Sequence, residues 1–206
     1  MVKLIDLSHP MTGDMPVLPG DAEVGLVQCR NITDDGYNAF RLTTMLHVGT
    51  HLDAPLHFIA GGKMVHSIPL ETFIGPGCLL DVRDEASIDY KKEYDEVIKQ
   101  GDIVLLYTGW SEVYGKKEYY TEHPVVSEEL ADVFVRRKIK MLGMDVPSPD
   151  RAPFPIHHQL LGENIPIVEN LTNLGELKDL GNFDIMAFPI KIMAEGCPVR
   201  VVARSG

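Results

Sequence analysis

The segment 47–58 constrains how this chain can fold more than any other, and it reads HVGTHLDAPLHF. Three histidines and one aspartate occupy odd positions in it: His47, His51, Asp53 and His57. An extended strand would place all four on one face, whereas a helix would scatter them around its axis. A straight strand would nevertheless separate His47 from Asp53 by roughly 20 Å. The chain must therefore bend, and Gly49 and Pro55 are residues that allow a change of direction.

Imidazole and carboxylate groups together form a ligand set that suits zinc and also manganese or iron. A structural zinc site is usually closed by thiolates, and no cysteine lies near this segment. The pattern therefore favours an open, catalytic metal site. The alternative is a set of polar residues in a strand and turn, with the histidines hydrogen-bonded in the core.

A second cluster follows about 100 residues later on the chain, with His157-His158 and then Glu169 inside an apolar strand pattern. A buried carboxylate needs a partner, because removing a bare charge from water is very costly. A metal ion would supply that partner, and an ion pair with Arg200 or Arg151 would serve equally well.

Short apolar runs bounded by Gly, Asp or Pro predict strands buried on both faces of a sheet. They lie at Cys78–Val82, Ile103–Thr108 and Lys140–Val146. Further strands are predicted at Val2–Leu7, Glu23–Arg30, Ala39–Val48, Pro166–Leu171, Ile185–Ile192 and Val199–Arg204. Two helices are predicted, at Tyr90–Gln100 and Ser127–Lys140, with shorter helical turns near Pro69–Ile74 and His157–Leu161. The pattern predicts one α/β domain spanning 1–206, with a strand-rich mixed sheet and few helices.

The charge balance excludes some partners. Thirty acidic and 19 basic residues give a formal net charge of −11, which disfavours nucleic acid and anionic membrane surfaces. Three cysteines without C-x-x-C spacing predict a reducing, cytoplasmic environment. We expect a small-molecule substrate and a homodimer. His123 precedes a proline and is expected at the surface.

The segment 47–58 resembles the H-x-G-T-H-x-D-x-P-x-H-F signature of the cyclase family of metal-dependent hydrolases. That family includes bacterial kynurenine formamidases and isatin hydrolases. Four shorter blocks resemble the family's other recurring motifs and occur in the expected order: Met15–Asp21, Gly101–Trp110, Gly143–Ser148 and Gly196–Arg200. The resemblance therefore extends over most of the chain.

The resemblance implies a swivelling β/β/α fold and one or two divalent ions, zinc in the formamidases and manganese in the isatin hydrolases. It implies that His47, His51 and Asp53 hold the first ion. It further implies that Asp53 bridges to a second ion held by His157 and Glu169, with Glu169 reaching both.

Three further residues take their expected roles from the same resemblance. His57 is implied as the general acid and base. The twelve-residue interval before Glu169 favours His157 over His158 as the ligand. Leu18 stands where the formamidases have a tryptophan that packs against the aromatic substrate, so it offers an apolar wall without an aromatic platform.

These features predict a metal-dependent hydrolase of small amides, such as an arylformamidase that converts N-formylkynurenine to kynurenine and formate. A non-catalytic metal-binding or ligand-binding protein is the alternative from another class, although it would not need the additional base His57. A lyase or cyclase of the same family is a third reading.

Overall fold

Thirteen strands and five short α-helices make up the structure, a computed structural model that describes residues 2–206. The strands are β1 (Lys3–Asp6), β2 (Gly25–Arg30), β3 (Ala39–Thr43), β4 (His51–Asp53), β5 (Ile74–Asp81), β6 (Ser87–Ile88), β7 (Ile103–Tyr107), β8 (Val125–Val126), β9 (Met141–Met144), β10 (Ile167–Glu169), β11 (Phe183–Met186), β12 (Gly196–Pro198) and β13 (Val202–Ser205). The helices are α1 (Ile32–Asp35), α2 (Tyr94–Val97), α3 (Lys117–Thr121), α4 (Glu128–Arg137) and α5 (Pro155–Gly162). Single 3-10 turns occur at Pro55–His57, Val65–Ser67, Leu70–Phe73, Trp110–Val113 and Leu174–Leu177.

Nine of these strands form one mixed sheet in the order β1-β13-β11-β5-β7-β9-β10-β4-β12. The four central strands β5, β7, β9 and β10 are parallel, and the strands on both flanks pair antiparallel. Strands β2 and β3 form a separate hairpin. The mixed α/β architecture with many strands and few helices confirms the predicted fold class.

The central strands are apolar because both of their faces are covered. Along β7, Val104 and Leu106 belong to the core that includes residues of α4 and α5, whereas Ile103 and Leu105 belong to the core on the opposite face. Burial on both faces explains why these strands read as continuous apolar runs without alternation.

The predicted helix at Ser127–Lys140 is confirmed as α4. The Ser127 hydroxyl accepts a hydrogen bond from the Leu130 amide and begins the helix, and Lys138 ends it in the left-handed conformation with φ of 50°. Acidic residues at its start and basic residues at its end complement the helix dipole.

The predicted helix at Tyr90–Gln100 is mostly wrong, because only Tyr94–Val97 is helical. Tyr94 and Ile98 are its buried apolar anchors, while Val97 is half exposed. A single turn buries both anchors, after which Ile98 is extended and the chain enters β7. Every helix within 2–206 is too short or too polar to serve as a membrane span.

Candidate active site

Two distant segments meet at strands β4 and β10. These strands pair antiparallel, with Glu169 directly opposite His51 and Ile167 opposite Asp53. His51 and Asp53 are two residues apart, so both side chains lie on the same face of β4. His51 Nε2 lies 3.3 Å from Glu169 Oε2 and 3.5 Å from Asp53 Oδ1. The register of this one strand pair therefore assembles the centre of the site.

The chain bends before and after β4, as its sequence predicts. Gly49 has φ of +65°, a backbone conformation that favours glycine, and a Cβ there would also displace the flexible end of Met15, whose Cε would lie 2.5 Å away. The Gly49 carbonyl accepts hydrogen bonds from His51 Nδ1 at 2.8 Å and from Asn170 Nδ2 at 2.9 Å. The bond from Nδ1 leaves His51 Nε2 facing the carboxylates. After β4, Pro55 begins a 3-10 turn that carries His57.

Helix α5 delivers His157 to the same centre. The buried Asp150 carboxylate accepts hydrogen bonds from the backbone amides of Ile156 at 2.7 Å and His157 at 3.1 Å. It also pairs with His157 Nδ1 at 2.6 Å, which directs Nε2 to Glu169 Oε1 at 3.4 Å and Asp53 Oδ2 at 3.6 Å. His158 is exposed. The structure thus brings His157, and not His158, to Asp53 and Glu169.

His47 completes the cluster from the less buried side. Its Nδ1 lies 2.8 Å from Asp53 Oδ1, and its Nε2 lies 3.5 Å from Glu195 Oε1. Its ring stacks on His57 at a centroid distance of 4.0 Å. A Cβ at Gly196 would lie 2.7 Å from His47 Cε1, so the glycine makes room for this ring.

The carboxylates of Asp53 and Glu169 are 1% and 5% exposed and draw positive charge into the site. Burial by itself lowers the pKa of His51, but contact with Glu169 and the charge of Asp53 raise it to about 9. Burial also lowers the pKa of His157. The hydrogen bond to Asp150 and the contacts with Asp53 and Glu169 outweigh this effect and raise the pKa to about 11. Burial raises the pKa of Asp53, yet interactions with His157 and His47 hold it well below its usual range.

This donor set fits a divalent cation. Two triads each bring three ligand atoms within 4.8 Å of one another: His47, His51 and Asp53, and Asp53, His157 and Glu169. Within the described part of the chain, the buried Nε2 atoms of His47 and His51 have no hydrogen-bond partner, although carboxylate oxygens lie close to them. Imidazole nitrogens fixed by a hydrogen bond at the other ring nitrogen are the usual form of a metal-ligating histidine.

The cluster opens into a cavity of about 690 Å³. Apolar side chains form much of its wall: Pro16, Val17, Leu18, Met45, Phe58 and Phe154. Leu18 is 52% exposed, at the cavity wall where an apolar contact was expected. His57 is exposed, also lines the cavity, and packs edge-on against Phe58.

The arginines considered as partners for Glu169 are engaged elsewhere. Arg200 pairs with Asp6 through bonds of 2.6 and 2.8 Å, and Arg151 donates to the backbone carbonyl of His123. The ion-pair alternative for Glu169 is therefore wrong.

Sequence reasoning missed Asp150 and mistook the position of His123. The N-cap position of α5 is Phe154, and Asp150 reaches the amides of Ile156 and His157 from the preceding loop, so the usual N-cap pattern does not identify it in the sequence. His123 is 4% exposed and lines the cavity, which corrects the expected surface position. Its backbone is held by Arg151, a long-range contact that no local pattern indicates.

Comparison with known proteins agrees with this geometry. Residues 5–151 match the Cyclase family model, described as "Putative cyclase". Kynurenine formamidase from Bacillus cereus is 34% identical over 206 residues, covering 97% of this chain and 96% of that protein. The Bacillus anthracis kynurenine formamidase is 33% identical over 208 residues, covering 98% and 97%.

Solved structures show the same fold over the whole chain. Isatin hydrolase A from Labrenzia aggregata, bound to benzyl benzoate, superposes with a TM-score of 0.87 at 26% identity, covering 99% of this chain and 94% of that one. A predicted metal-dependent hydrolase from Bacillus stearothermophilus superposes with a TM-score of 0.81 at 28% identity, covering 99% and 98%. The family resemblance of the signature segment is confirmed, and the chain belongs to the cyclase family of hydrolases.

Proposed function

We propose that this protein is a metal-dependent hydrolase of small arylformamides, with N-formylkynurenine as the substrate and kynurenine and formate as the products. One observation carries the proposal. Two buried carboxylates and three histidines, with unpartnered imidazole nitrogens among them, face an apolar-walled cavity that also holds the accessible imidazole of His57. The formamidase relatives, at 34% identity over nearly the full chain, support the choice of a formamide.

The proposed metal is zinc, one or two ions, with manganese as the alternative to be tested. His47, His51 and Asp53 would hold one ion, and Asp53, His157 and Glu169 would hold a second. A divalent ion at such a site lowers the pKa of a water molecule towards 7 and polarises a carbonyl group.

His57 is the proposed general acid and base. Its ring lies against His47 in the cavity, outside both ligand triads. Partial enclosure by the cavity wall lowers the pKa of the otherwise exposed His57 ring, and Coulombic interactions with His47 and His157 act in the same direction, against those with Asp53 and Glu169. The ring is therefore neutral near pH 7, so it can take a proton from the attacking water and pass it to the departing aniline nitrogen.

The cavity wall supports an aryl substrate. Leu18 and Phe58 present apolar surface beside the cluster, and Phe154 lies 5.3 Å from Phe58 between ring centroids. An aromatic ring packed there would bring its formamide group to the polar cluster. Leu18 supplies this contact without the stacking that a larger aromatic side chain would add.

Formate release tests the proposal. Protein stripped of metal and reloaded with zinc or manganese is incubated with N-formylkynurenine, formanilide and isatin. We expect formate from the two formamides only with metal present. Stoichiometric metal binding without turnover of any amide would instead support a non-catalytic metal-binding protein. Conversion of a substrate that neither releases formate nor opens a ring by addition of water would support a lyase or cyclase.

A further inference from the structure

Asn170 joins the two distant segments of the candidate site. It follows Glu169 at the end of β10, is 7% exposed, and has φ of 56°. Its side-chain Nδ2 donates to the Gly49 carbonyl at 2.9 Å, and its own backbone carbonyl accepts from the Thr50 hydroxyl at 2.6 Å. Two hydrogen bonds therefore connect the bend before β4 to the end of β10.

The partners of the Asn170 amide determine which way it faces. A carbonyl oxygen can only accept, so the group that faces Gly49 must be the NH₂. The amide oxygen then faces the Tyr119 hydroxyl, which lies 2.7 Å away and must donate. Tyr119 has no exposed surface, so solvent does not compete for its hydroxyl. The Asn170 side chain is thus held from both ends by a buried hydrogen-bond network.

The Gly49 carbonyl connects this network to His51. It accepts from His51 Nδ1 at 2.8 Å, so a neutral ring has its proton on Nδ1 and its lone pair on Nε2, the atom that lies 3.3 Å from Glu169 Oε2. The position of that one oxygen therefore sets both the tautomer and the orientation of the ring. Glycine at the bend allows its peptide group to rotate, and the bond from Asn170 opposes this rotation.

We propose that Asn170 is a positioning residue for the candidate metal site: with Tyr119 it holds the Gly49 carbonyl, and thereby keeps His51 in the orientation that a metal ligand requires. The inference rests on the metal binding that the proposed function includes, and it is independent of the substrate. Neither Asn170 nor Tyr119 belongs to the two ligand triads, so both act through His51.

Asn170→Gly removes the side chain and keeps the backbone. Glycine adopts the left-handed conformation without strain, and the carbonyl of residue 170 still accepts from the Thr50 hydroxyl. Calorimetric titration of zinc into stripped protein should show an affinity roughly tenfold below wild type, a loss typical when an outer partner of a metal-ligating histidine is removed. Tyr119→Phe keeps the bond from Nδ2 and should lower the affinity by only about two- to fivefold.

Asn173→Gly is the matched control. Asn173 also has a left-handed backbone, with φ of 59°, and its Nδ2 also donates to a backbone carbonyl, that of Asp6, at 2.9 Å. It belongs neither to the ligand triads nor to the cavity wall. The control should bind zinc within twofold of wild type. An Asn170→Gly affinity within twofold of wild type, or an equal loss in both glycine variants, would overturn the proposal.

A spectroscopic measurement separates positioning from a general loss of stability. Cobalt(II) takes the same nitrogen and oxygen ligands as zinc, and its unpaired electrons shift the proton signals of the imidazoles that bind it. In cobalt-loaded Asn170→Gly, the Nδ1 proton signal of His51 should broaden through faster exchange with water. The signals of the other ligating histidines should stay as in wild type, including that of His157, whose Nδ1 is held by Asp150. Equal broadening of all these signals would overturn the proposal.

The outcomes for this inference and for the proposed reaction are distinguishable. Zinc binding that depends on Asn170, in a protein that releases no formate from any formamide, would contradict the reaction and support the positioning role. Formate release together with equal zinc affinity in wild type and Asn170→Gly would do the reverse. A wild-type protein that binds neither zinc nor cobalt would overturn both.

Discussion

Asp150 should control metal affinity although it contacts no proposed ion. Its carboxylate holds His157 Nδ1 at 2.6 Å and accepts from the amides of Ile156 and His157. In Asp150→Asn the single amide oxygen must keep the two backbone donors satisfied, which leaves the amide NH₂ facing Nδ1. That NH₂ donates to Nδ1 and forces the proton of a neutral His157 onto Nε2. The nitrogen that faces Asp53 and Glu169 then loses its free lone pair.

The expected magnitude follows from this change of tautomer. Loss of a partner that orients a metal-ligating histidine typically costs 10- to 100-fold in metal affinity, or about 1.4–2.7 kcal/mol. Helix α5 should persist because the capping oxygen remains. The effect should therefore appear in metal binding, with far-ultraviolet circular dichroism unchanged.

Calorimetric titration of zinc into stripped protein measures this loss. Asp132→Asn is a matched control, because the Asp132 carboxylate also accepts a hydrogen bond from a residue of α5, Gln159, but on the exposed side of the helix. We expect the control to bind zinc as the wild type does. Zinc affinity of Asp150→Asn within twofold of wild type would refute the proposed orientation of His157.

Three further outcomes follow from the geometry. In His57→Ala, elemental analysis should find the same metal content as in wild type, while kcat should fall roughly 10²- to 10⁴-fold, because the change removes proton transfer but no ligand. A loss of metal that matches the loss of kcat would make His57 a ligand. The pKa values of His51 and His157 in the metal-free fold, about 9 and about 11, lie above the value of about 6.5 in the unfolded chain. Protonation of these histidines therefore stabilises the fold fully below pH 6.5, and this stabilisation is lost as the pH rises through the folded-state values. Thermal midpoints of stripped protein should therefore fall from pH 7 to pH 10, and zinc should weaken that dependence; a flat profile without metal would contradict the charge balance. Leu18→Trp should lower KM for formanilide by about two- to tenfold through ring stacking, and an unchanged KM would place the aryl group elsewhere.

The sequence predicted those parts of the fold that local pattern determines. Ser127 caps the start of α4 as predicted, although the helix ends at Arg137 and not at Lys140, and apolar runs such as Ile103–Tyr107 mark strands covered on both faces. The nine-strand order was not predictable, because antiparallel pairing of β4 with β10 depends on contacts between residues more than 100 positions apart. The length of α2 was overestimated, because residues that favour a helix extend over Tyr90–Gln100 whereas only the turn Tyr94–Val97 is helical.

The candidate site likewise combines features that the local sequence predicts with features that depend on tertiary contacts. The bend at Gly49 and the spacing within 47–58 follow from steric limits on a short segment, so they were within reach of sequence reasoning. The partners of Glu169 were left open between a metal and an arginine, and only the tertiary arrangement shows that Arg200 is paired with Asp6. His123 is buried through packing from other elements, which local sequence does not encode.

Anomalous diffraction from crystals grown with excess zinc tests the central claim most directly. Data collected on both sides of the zinc absorption edge should show an ion bonded to Asp53 and to histidine nitrogens at about 2.0–2.2 Å, with Glu169 among the ligands of an ion at this cluster. Zinc bound only at surface residues, with no anomalous peak between Asp53 and Glu169, would contradict the account.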